Sequence, residues 1–209
     1  MNIVETDELL IKKLELGPFG TNCYIFVCRD TRDSILVDAP AEAGKIRSAL
    51  EETKPRLILL THGHMDHTGA LEEMHSGLGV PLAAHPADSG NLPVKPDGEL
   101  EDADVIPCGK VALRVLHTPG HTPGSLCFYM GEHLIAGDTI FPGGPGKTWS
   151  PEDLDCIIAS ITGKIFTLPG DTQILPGHGG TTTVAREKEL YAAFAARPRD
   201  PGLCGDVTW

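Results

Sequence analysis

Hydrophobic residues in this chain come in short runs cut by turn residues. Runs over 9–16, 23–28 and 34–37 have the length and aliphatic content of strands. The segments between them, Gly17-Pro18-Phe19-Gly20 and Arg29-Asp30-Thr31, are turn-forming. The period then changes. Ala43, Ile46, Ala49 and Leu50 share one face of a helix, and Ala70, Leu71, Met74 and Leu78 do the same further on. Short apolar runs over 56–60 and 80–84 add two more strands. The second half repeats the mixture, with strands over 111–116, 125–130, 133–136 and 173–175. Ser150-Pro151-Glu152-Asp153 opens a helix: a capping serine, proline at the first helical position, and an acid three residues after the cap. Leu154, Ile157, Ile158 and Ile161 form its apolar face. A last helix over about 183–196 is anchored by Val184, Leu190, Tyr191 and Phe194. Two halves that each mix strands with helices predict two sheets with helices outside them, an α/β or α+β layer arrangement.

Composition changes this picture little. The 209 residues suit one domain or two small ones, and 41% hydrophobic with 22% charged residues is ordinary for a globular chain. The 24 glycines and 17 prolines are dispersed, so they mark turns between short elements. Charge says more: a formal net charge of −12 disfavours nucleic acid and anionic membrane surfaces as partners. No run approaches the roughly 20 apolar residues of a membrane span, and residues 1–8 carry acids where an export signal needs a basic end and an apolar run. The six cysteines form no Cys-x-x-Cys pair, which predicts free, buried thiols and a cytoplasmic location. The acid-rich stretch 97–104 is expected to be a solvated loop. The oligomeric state is left open, and a monomer fits.

The candidate chemistry lies directly after the apolar run that ends at Leu60. Thr61-His62-Gly63-His64-Met65-Asp66-His67 places four potential metal ligands within six residues. On a continuing strand His62 and His64 face one side, and a turn can bring Asp66 and His67 toward a neighbouring point. Such groups are costly to bury unpaired at the end of a buried strand, and a metal ion satisfies them. Three further residues stand at strand ends beside glycine: His121 in Pro119-Gly120-His121-Thr122-Pro123-Gly124-Ser125, Asp138 in Ala136-Gly137-Asp138-Thr139, and His178 in Leu175-Pro176-Gly177-His178-Gly179. Of the nine histidines, His75, His85, His117 and His133 are not expected to bind metal, with His117 a candidate to support a ligand. Ser125 is expected in a turn rather than as a nucleophile, because no separate base accompanies it.

In this order, from Pro18-Phe19-Gly20-Thr21-Asn22-Cys23-Tyr24 to His178, the motifs resemble the metallo-β-lactamase superfamily, and within it the short, single-domain glyoxalase II-like hydrolases. The resemblance implies an α+β fold, a four-layer αββα sandwich with the metals at one edge between the sheets, and one domain over 1–209. It implies that His62, His64 and His121 hold one metal ion and Asp66, His67 and His178 a second, with Asp138 bridging and Asp66 also counted as catalytic. Two divalent ions are implied, zinc first, with iron or manganese as alternatives. Asp138 stands where one class of true β-lactamases has Cys, and His64 where flavodiiron relatives have Glu. Nuclease relatives carry an inserted domain that 209 residues cannot contain.

Two metals can acidify a bound water toward neutrality and present hydroxide to a carbonyl carbon. A thiolate leaves with little protonation, since a Cys-like thiol has a pKa of about 8.5. The favoured function is therefore hydrolysis of a small acyl-thiol conjugate, a thioesterase of the hydroxyacylglutathione hydrolase type. The alternatives are a mononuclear iron persulfide dioxygenase and a lactonase or β-lactamase. Persulfide dioxygenases typically have Arg then Thr-Asp-Phe after the glycine-rich segment, where this chain has Lys147-Thr148-Trp149-Ser150. Longer glyoxalase II enzymes carry a helical glutathione-binding domain, for which residues 179–209 leave no room. In the segment Gly143-Gly144-Pro145-Gly146-Lys147-Thr148-Trp149, the resemblance implies that Lys147 binds a substrate carboxylate and Trp149 forms a wall.

Overall fold

A computed structural model describes all of residues 1–209. The first sheet has seven strands in chain order: β1 (Asn2–Glu5), β2 (Leu9–Leu16), β3 (Thr21–Cys28), β4 (Asp33–Val37), β5 (Lys54–Leu59), β6 (Leu82–Ala84) and β7 (Gly98–Glu99). The second is built from β8 (Val105–Cys108), β9 (Val111–His117), β10 (Leu126–Met130), β11 (His133–Gly137), β14 (Gln173–Pro176) and β15 (Thr182–Thr183), in the order β15-β14-β11-β10-β9-β8. A small hairpin of β12 (Ile140–Phe141) and β13 (Gly144–Pro145) lies between β11 and β14 in sequence. The helices are α1 (Ala43–Leu50), α2 (Met65–Thr68), α3 (Leu71–Leu78), α4 (Pro151–Gly163) and α5 (Val184–Ala195).

Strand β3 shows why the layers form. All eight of its residues are buried, so both faces must be covered. Tyr24 and Phe26 point toward the other sheet and meet Leu113, Val115, Phe128 and Ile135 in the inter-sheet core. Cys23, Ile25 and Val27 alternate to the opposite face and pack with Ile46, Leu50, Leu71 and Met74 of α1 and α3. The second sheet does the same: Leu116, Cys127, Leu134 and Ile174 pack under Leu154, Ile157 and Ile161 of α4. The result is the expected αββα sandwich. Ser150 caps α4 as predicted, its Oγ accepting from the Asp153 amide at 3.1 Å.

The crossovers position the chemistry. β4 and β5 run parallel, as do β11 and β14, so each parallel pair delivers its carboxyl ends to one edge. The loops after β4, β5, β9, β11 and β14 begin there, and they carry the candidate ligands.

Three expectations are corrected, and three strands were not anticipated. The acid-rich stretch 97–104 is not simply a solvated loop. Asp97 Oδ2 accepts from the Leu82 amide and sits 2.9 Å from His75 Nε2, β7 extends the first sheet, and Asp102 Oδ1 accepts from the His117 amide and from Lys164 Nζ. The thiols are all free, but Cys156 is exposed and Cys204 half-buried, because neither lies on a core face. The buried positions of α5 are Val184 and, unexpectedly, Glu187, while Leu190 is only partly buried and Tyr191 and Phe194 pack at the rim of the core. Strands β1, β7 and β8 were not legible, since pairing rather than an apolar run defines them. No helix is long and apolar enough to cross a membrane.

Candidate metal centre

All seven ligand candidates meet at the edge where those strands end. His62 follows β5. His64 precedes the short helix α2, which carries Asp66 and His67. His121, Asp138 and His178 follow β9, β11 and β14. They form three overlapping groups: His62 with His64 and His121, His62 with His67 and Asp138, and Asp66 with His67 and His178. His62, His67 and His121 are buried, Asp138 is one-eighth exposed, and Asp66 and His178 are one-quarter exposed, so the cluster opens to solvent on one side.

The hydrogen bonds on the outer ring nitrogens decide what the inner ones present. His121 Nδ1 donates to the Lys147 carbonyl at 2.8 Å, and His178 Nδ1 to the Phe19 carbonyl at 3.1 Å. His67 Nδ1 donates to Asp38 Oδ2 at 2.8 Å. Thr61 Oγ1 gives its proton to the same carboxylate, so it can accept from His62 Nδ1 at 3.1 Å. In the neutral tautomers all four rings therefore aim a bare Nε2 inward. His64 contributes Nδ1, with His121 Nε2 at 2.9 Å and His62 Nε2 at 3.1 Å. Three converging lone pairs this close repel unless a cation lies among them. Imidazole nitrogens bound to one tetrahedral ion at about 2.0–2.1 Å stand about 3.3 Å apart.

The second focus reads the same way. His178 Nε2 lies 3.2 Å from Asp66 Oδ2, 3.5 Å from Asp138 Oδ2 and 3.4 Å from His67 Nε2. Asp138 faces both foci, with Oδ2 3.7 Å from His121 Nε2 and Oδ1 3.3 Å from His67 Nε2. Its Oδ1 is buried without a well-aligned hydrogen bond, which is the state of a carboxylate oxygen that needs a cation. Burial pushes the Asp138 carboxyl up, but His67, His121 and His178 outweigh it and hold the group below the usual range. Burial pushes His67 down, yet Asp38 and Asp138 overcome it and raise the imidazole to about 10. The residues fit a metal.

Two glycines make this packing possible. A Cβ on Gly177 would stand 2.1 Å from Asp138 Oδ1 and 2.8 Å from His67 Cε1, and one on Gly146 would stand 1.7 Å from the Asp138 carbonyl oxygen. The 176–179 loop is itself held by the Pro18–Tyr24 segment: Asn22 Nδ2 and Tyr24 Oη both donate to the Pro176 carbonyl at 2.8 Å.

The profile of the metallo-β-lactamase superfamily matches residues 16–193. The chain belongs to this superfamily. It is 35% identical over 199 residues to an uncharacterized protein of Aquifex aeolicus, covering 86% of this chain and 94% of that one. It is 31% identical over 201 residues to the hydroxyacylglutathione hydrolase GloC of Haemophilus influenzae, covering 85% and 94%. Among solved structures it resembles TTHA1623 in a di-iron-bound form, with a TM-score of 0.74 and 30% identity over 86% of this chain and 98% of that one. The four-layer sandwich is thus the metallo-β-lactamase fold, and the superfamily is one of metal-dependent hydrolases.

Within this metallo-β-lactamase fold, two aspartates missed by the sequence reading organise the centre. Asp38 follows β4 with a left-handed backbone (φ 61°) and is buried. It accepts from the Thr61 amide, the Thr61 hydroxyl and His67 Nδ1, all at 2.8 Å. Its place after an apolar run matches that of the ligands and was a usable signal. Asp88 had none, since it lies in a 3₁₀ turn over Pro86–Asn91. Its buried carboxylate accepts from the Gly63 amide at 2.9 Å, the Thr122 hydroxyl at 2.7 Å and the Gly124 amide at 2.8 Å, joining the His62–His64 segment to the His121 turn.

Lys147 and Trp149 are exposed beside the centre, but Lys147 is not free. Its Nζ lies 3.6 Å from Asp206 Oδ2 and 5.1 Å above the Trp149 ring. His117 donates from Nε2 to the Pro123 carbonyl at 2.9 Å, which steadies the His121 turn, and its ring stacks on His85. Ser125 closes the same turn, its Oγ accepting from the Thr122 amide at 3.1 Å.

Proposed function

We propose that this protein is a dinuclear metal-dependent hydrolase of thioesters, of the hydroxyacylglutathione hydrolase (glyoxalase II) type, acting on a small acyl-thiol conjugate. The supporting observation is the convergence of five imidazole rings and two carboxylates on two foci that Asp138 faces together. His62, His64 and His121 would hold one ion, Asp66, His67 and His178 the other, and Asp138 both. A nitrogen-rich set with two carboxylates suits zinc, and iron or manganese as well. Two divalent ions supply, when bound, an acidified water and stabilisation of charge on a carbonyl oxygen.

The chain's own residues do the rest. Asp38, the Lys147 carbonyl and the Phe19 carbonyl hold the rings of His67, His121 and His178 in one orientation and one tautomer. Asp66, on the open side, is the carboxylate an arriving water meets first, and we assign it to accept that water's hydrogen bond. Lys147 stands beside the centre paired with Asp206, and no acid is assigned to protonate a leaving group. A thiolate, with a pKa of about 8.5, departs without one.

Elemental analysis paired with a thioester hydrolysis assay tests the reading. About two ions per chain with turnover supports it. One iron per chain with oxygen uptake on a persulfide overturns it in favour of a mononuclear dioxygenase. Lactones and β-lactams assayed alongside show whether the acyl preference lies elsewhere.

A further inference from the structure

A cavity of about 100 Å³ opens beside Asp66. Leu16, Pro18, Phe19, Pro40, Ala41 and Met65 make its apolar lining, and Thr21 and Asp66 its polar part. Phe19 and Met65 are 68% and 81% exposed, unusual for side chains of that size next to a reactive centre. Both walls are tied to candidate ligands. The Phe19 carbonyl accepts from His178, and the Ala39 amide donates to the His67 carbonyl at 3.0 Å. The Gly17 amide donates to Glu42 Oε1 at 3.0 Å, which pins the 17–20 turn against Ala41. The backbone around the cavity is therefore fixed relative to the centre.

Its size decides what fits. A cavity of about 150 Å³ holds benzene, and a water-sized group claims about 30 Å³. The space beside Asp66 thus takes about three or four carbons and no ring. A carboxylate placed there would find no cation in the lining and would stay unpaired at high cost.

Beside His121, whose ring binds the Lys147 carbonyl, the Lys147 side chain is exposed and paired. Lys147 meets Asp206, which sits on a segment clamped across the glycine-rich loop. The Thr148 and Gly205 amides and carbonyls exchange bonds at 3.2 and 2.9 Å, and the Trp209 amide donates to the Gly143 carbonyl at 2.9 Å. Buried Glu187 locks the clamp, accepting from the Gly143 amide and the Trp209 indole, both at 2.9 Å.

Building on the thioester reading but narrowing it away from glutathione, we infer that the substrate is a short aliphatic acyl thioester of an uncharged thiol. The acyl chain enters the Phe19–Met65 cavity, which admits only the smaller arm, and the thiol arm lies over Lys147 and Trp149. Asp206 determines specificity by occupying Lys147 against carboxylate-bearing thiols. Water adds to the carbonyl carbon and the C–S bond breaks with its electron pair leaving on sulfur; one water proton ends on the thiolate and the other passes to solvent, giving a short carboxylate and the free thiol.

The metal-loaded protein is assayed with acetyl, butyryl and octanoyl thioesters of N-acetylcysteamine and with butyryl-glutathione. We expect kcat/KM to rise about fourfold per methylene from acetyl to butyryl and to fall at octanoyl. Ala41→Leu should fill the cavity and make acetyl the best substrate. Asp206→Asn should raise the glutathione to N-acetylcysteamine ratio by about two- to fivefold. Separately, the non-hydrolysable thioether S-butyl-N-acetylcysteamine should shift the Met65 methyl resonance, and Ala41→Leu should abolish the shift. Turnover without chain-length preference, with Met65 unmoved, overturns this inference and leaves the hydrolase standing. Butyl binding at Met65 with no thioester turned over supports the cavity and sinks the hydrolase reading.

Discussion

Asp88→Ala removes a carboxylate that ties two ligand-bearing loops together without touching a ligand. Three donors lose their acceptor: the Gly63 amide, the Gly124 amide and the Thr122 hydroxyl. Hydrogen bonds to a charged acceptor contribute about 1.5–3 kcal/mol each, so the gross loss is at least about 4.5 kcal/mol. Alanine escapes the cost of burying a carboxylate, and Thr122 keeps Ser125 as a partner at 2.8 Å. We therefore expect a net loss of about 3–4 kcal/mol. For a chain of this size each kcal/mol lowers Tm by about 2–4 °C, which gives a fall of about 6–16 °C. Because Gly63 lies between His62 and His64, and Gly124 closes the His121 turn, affinity at the first focus should also fall, on the order of tenfold. Thermal unfolding with and without added metal, beside chelator competition, reads both effects. Asp88→Asn, which keeps one acceptor oxygen, should lie between wild type and alanine. A variant with wild-type Tm would refute the hydrogen-bond ledger. One that melts early yet binds metal with wild-type affinity would refute the coupling of Asp88 to the His62–His64–His121 geometry.

Other perturbations probe the centre directly. Asp138→Ala should strip both ions, because both foci lose the carboxylate that faces them, and elemental analysis that still finds two per chain would defeat the bridging role. Asp38→Asn should weaken metal binding by about 10–100-fold, since His67 Nδ1 loses its carboxylate, and unchanged affinity in chelator competition would contradict that. The metal-free protein should be most stable near pH 6.5. Burial and the neighbouring imidazoles hold His62 well below its ordinary value, and burial also lowers His64, while carboxylates raise His67 to about 10. Below about pH 6.5 the unfolded chain binds protons that folded His62 and His64 refuse, so stability falls with acid. Above it folded His67 keeps a proton the unfolded chain has lost, so that contribution drains away as pH rises toward 10. Denaturant melts in chelator across this range check the maximum, and stability still climbing above about pH 8 would count against it.

What the chain determined alone is what periodicity and local chemistry can encode. The apolar runs over 9–16 and 23–28 specify strands, and helical spacing after Ala43 and Leu154 with the Ser150 cap specifies helices and their buried faces, because that information lies within a few residues. The seven candidate ligands were legible for a related reason. Histidine and aspartate at the end of a buried run are hard to satisfy without a metal, and glycine beside them marks where backbone must come close. Gly177, next to His178, is such a place, since a Cβ there would meet Asp138.

The rest depended on who meets whom across the sandwich. Asp88 looks like any acid in a polar turn until packing sets it between Gly63 and Gly124. Glu187 looks like the solvent face of α5 until the Gly143 loop and Trp209 bury it. Lys147 reads as a free cation until Asp206 arrives from a segment far along the chain. A hydrogen bond or an ion pair is a property of two positions and the distance between them. Single-chain patterning carries the first of those terms, and only the folded arrangement of the two sheets supplies the second.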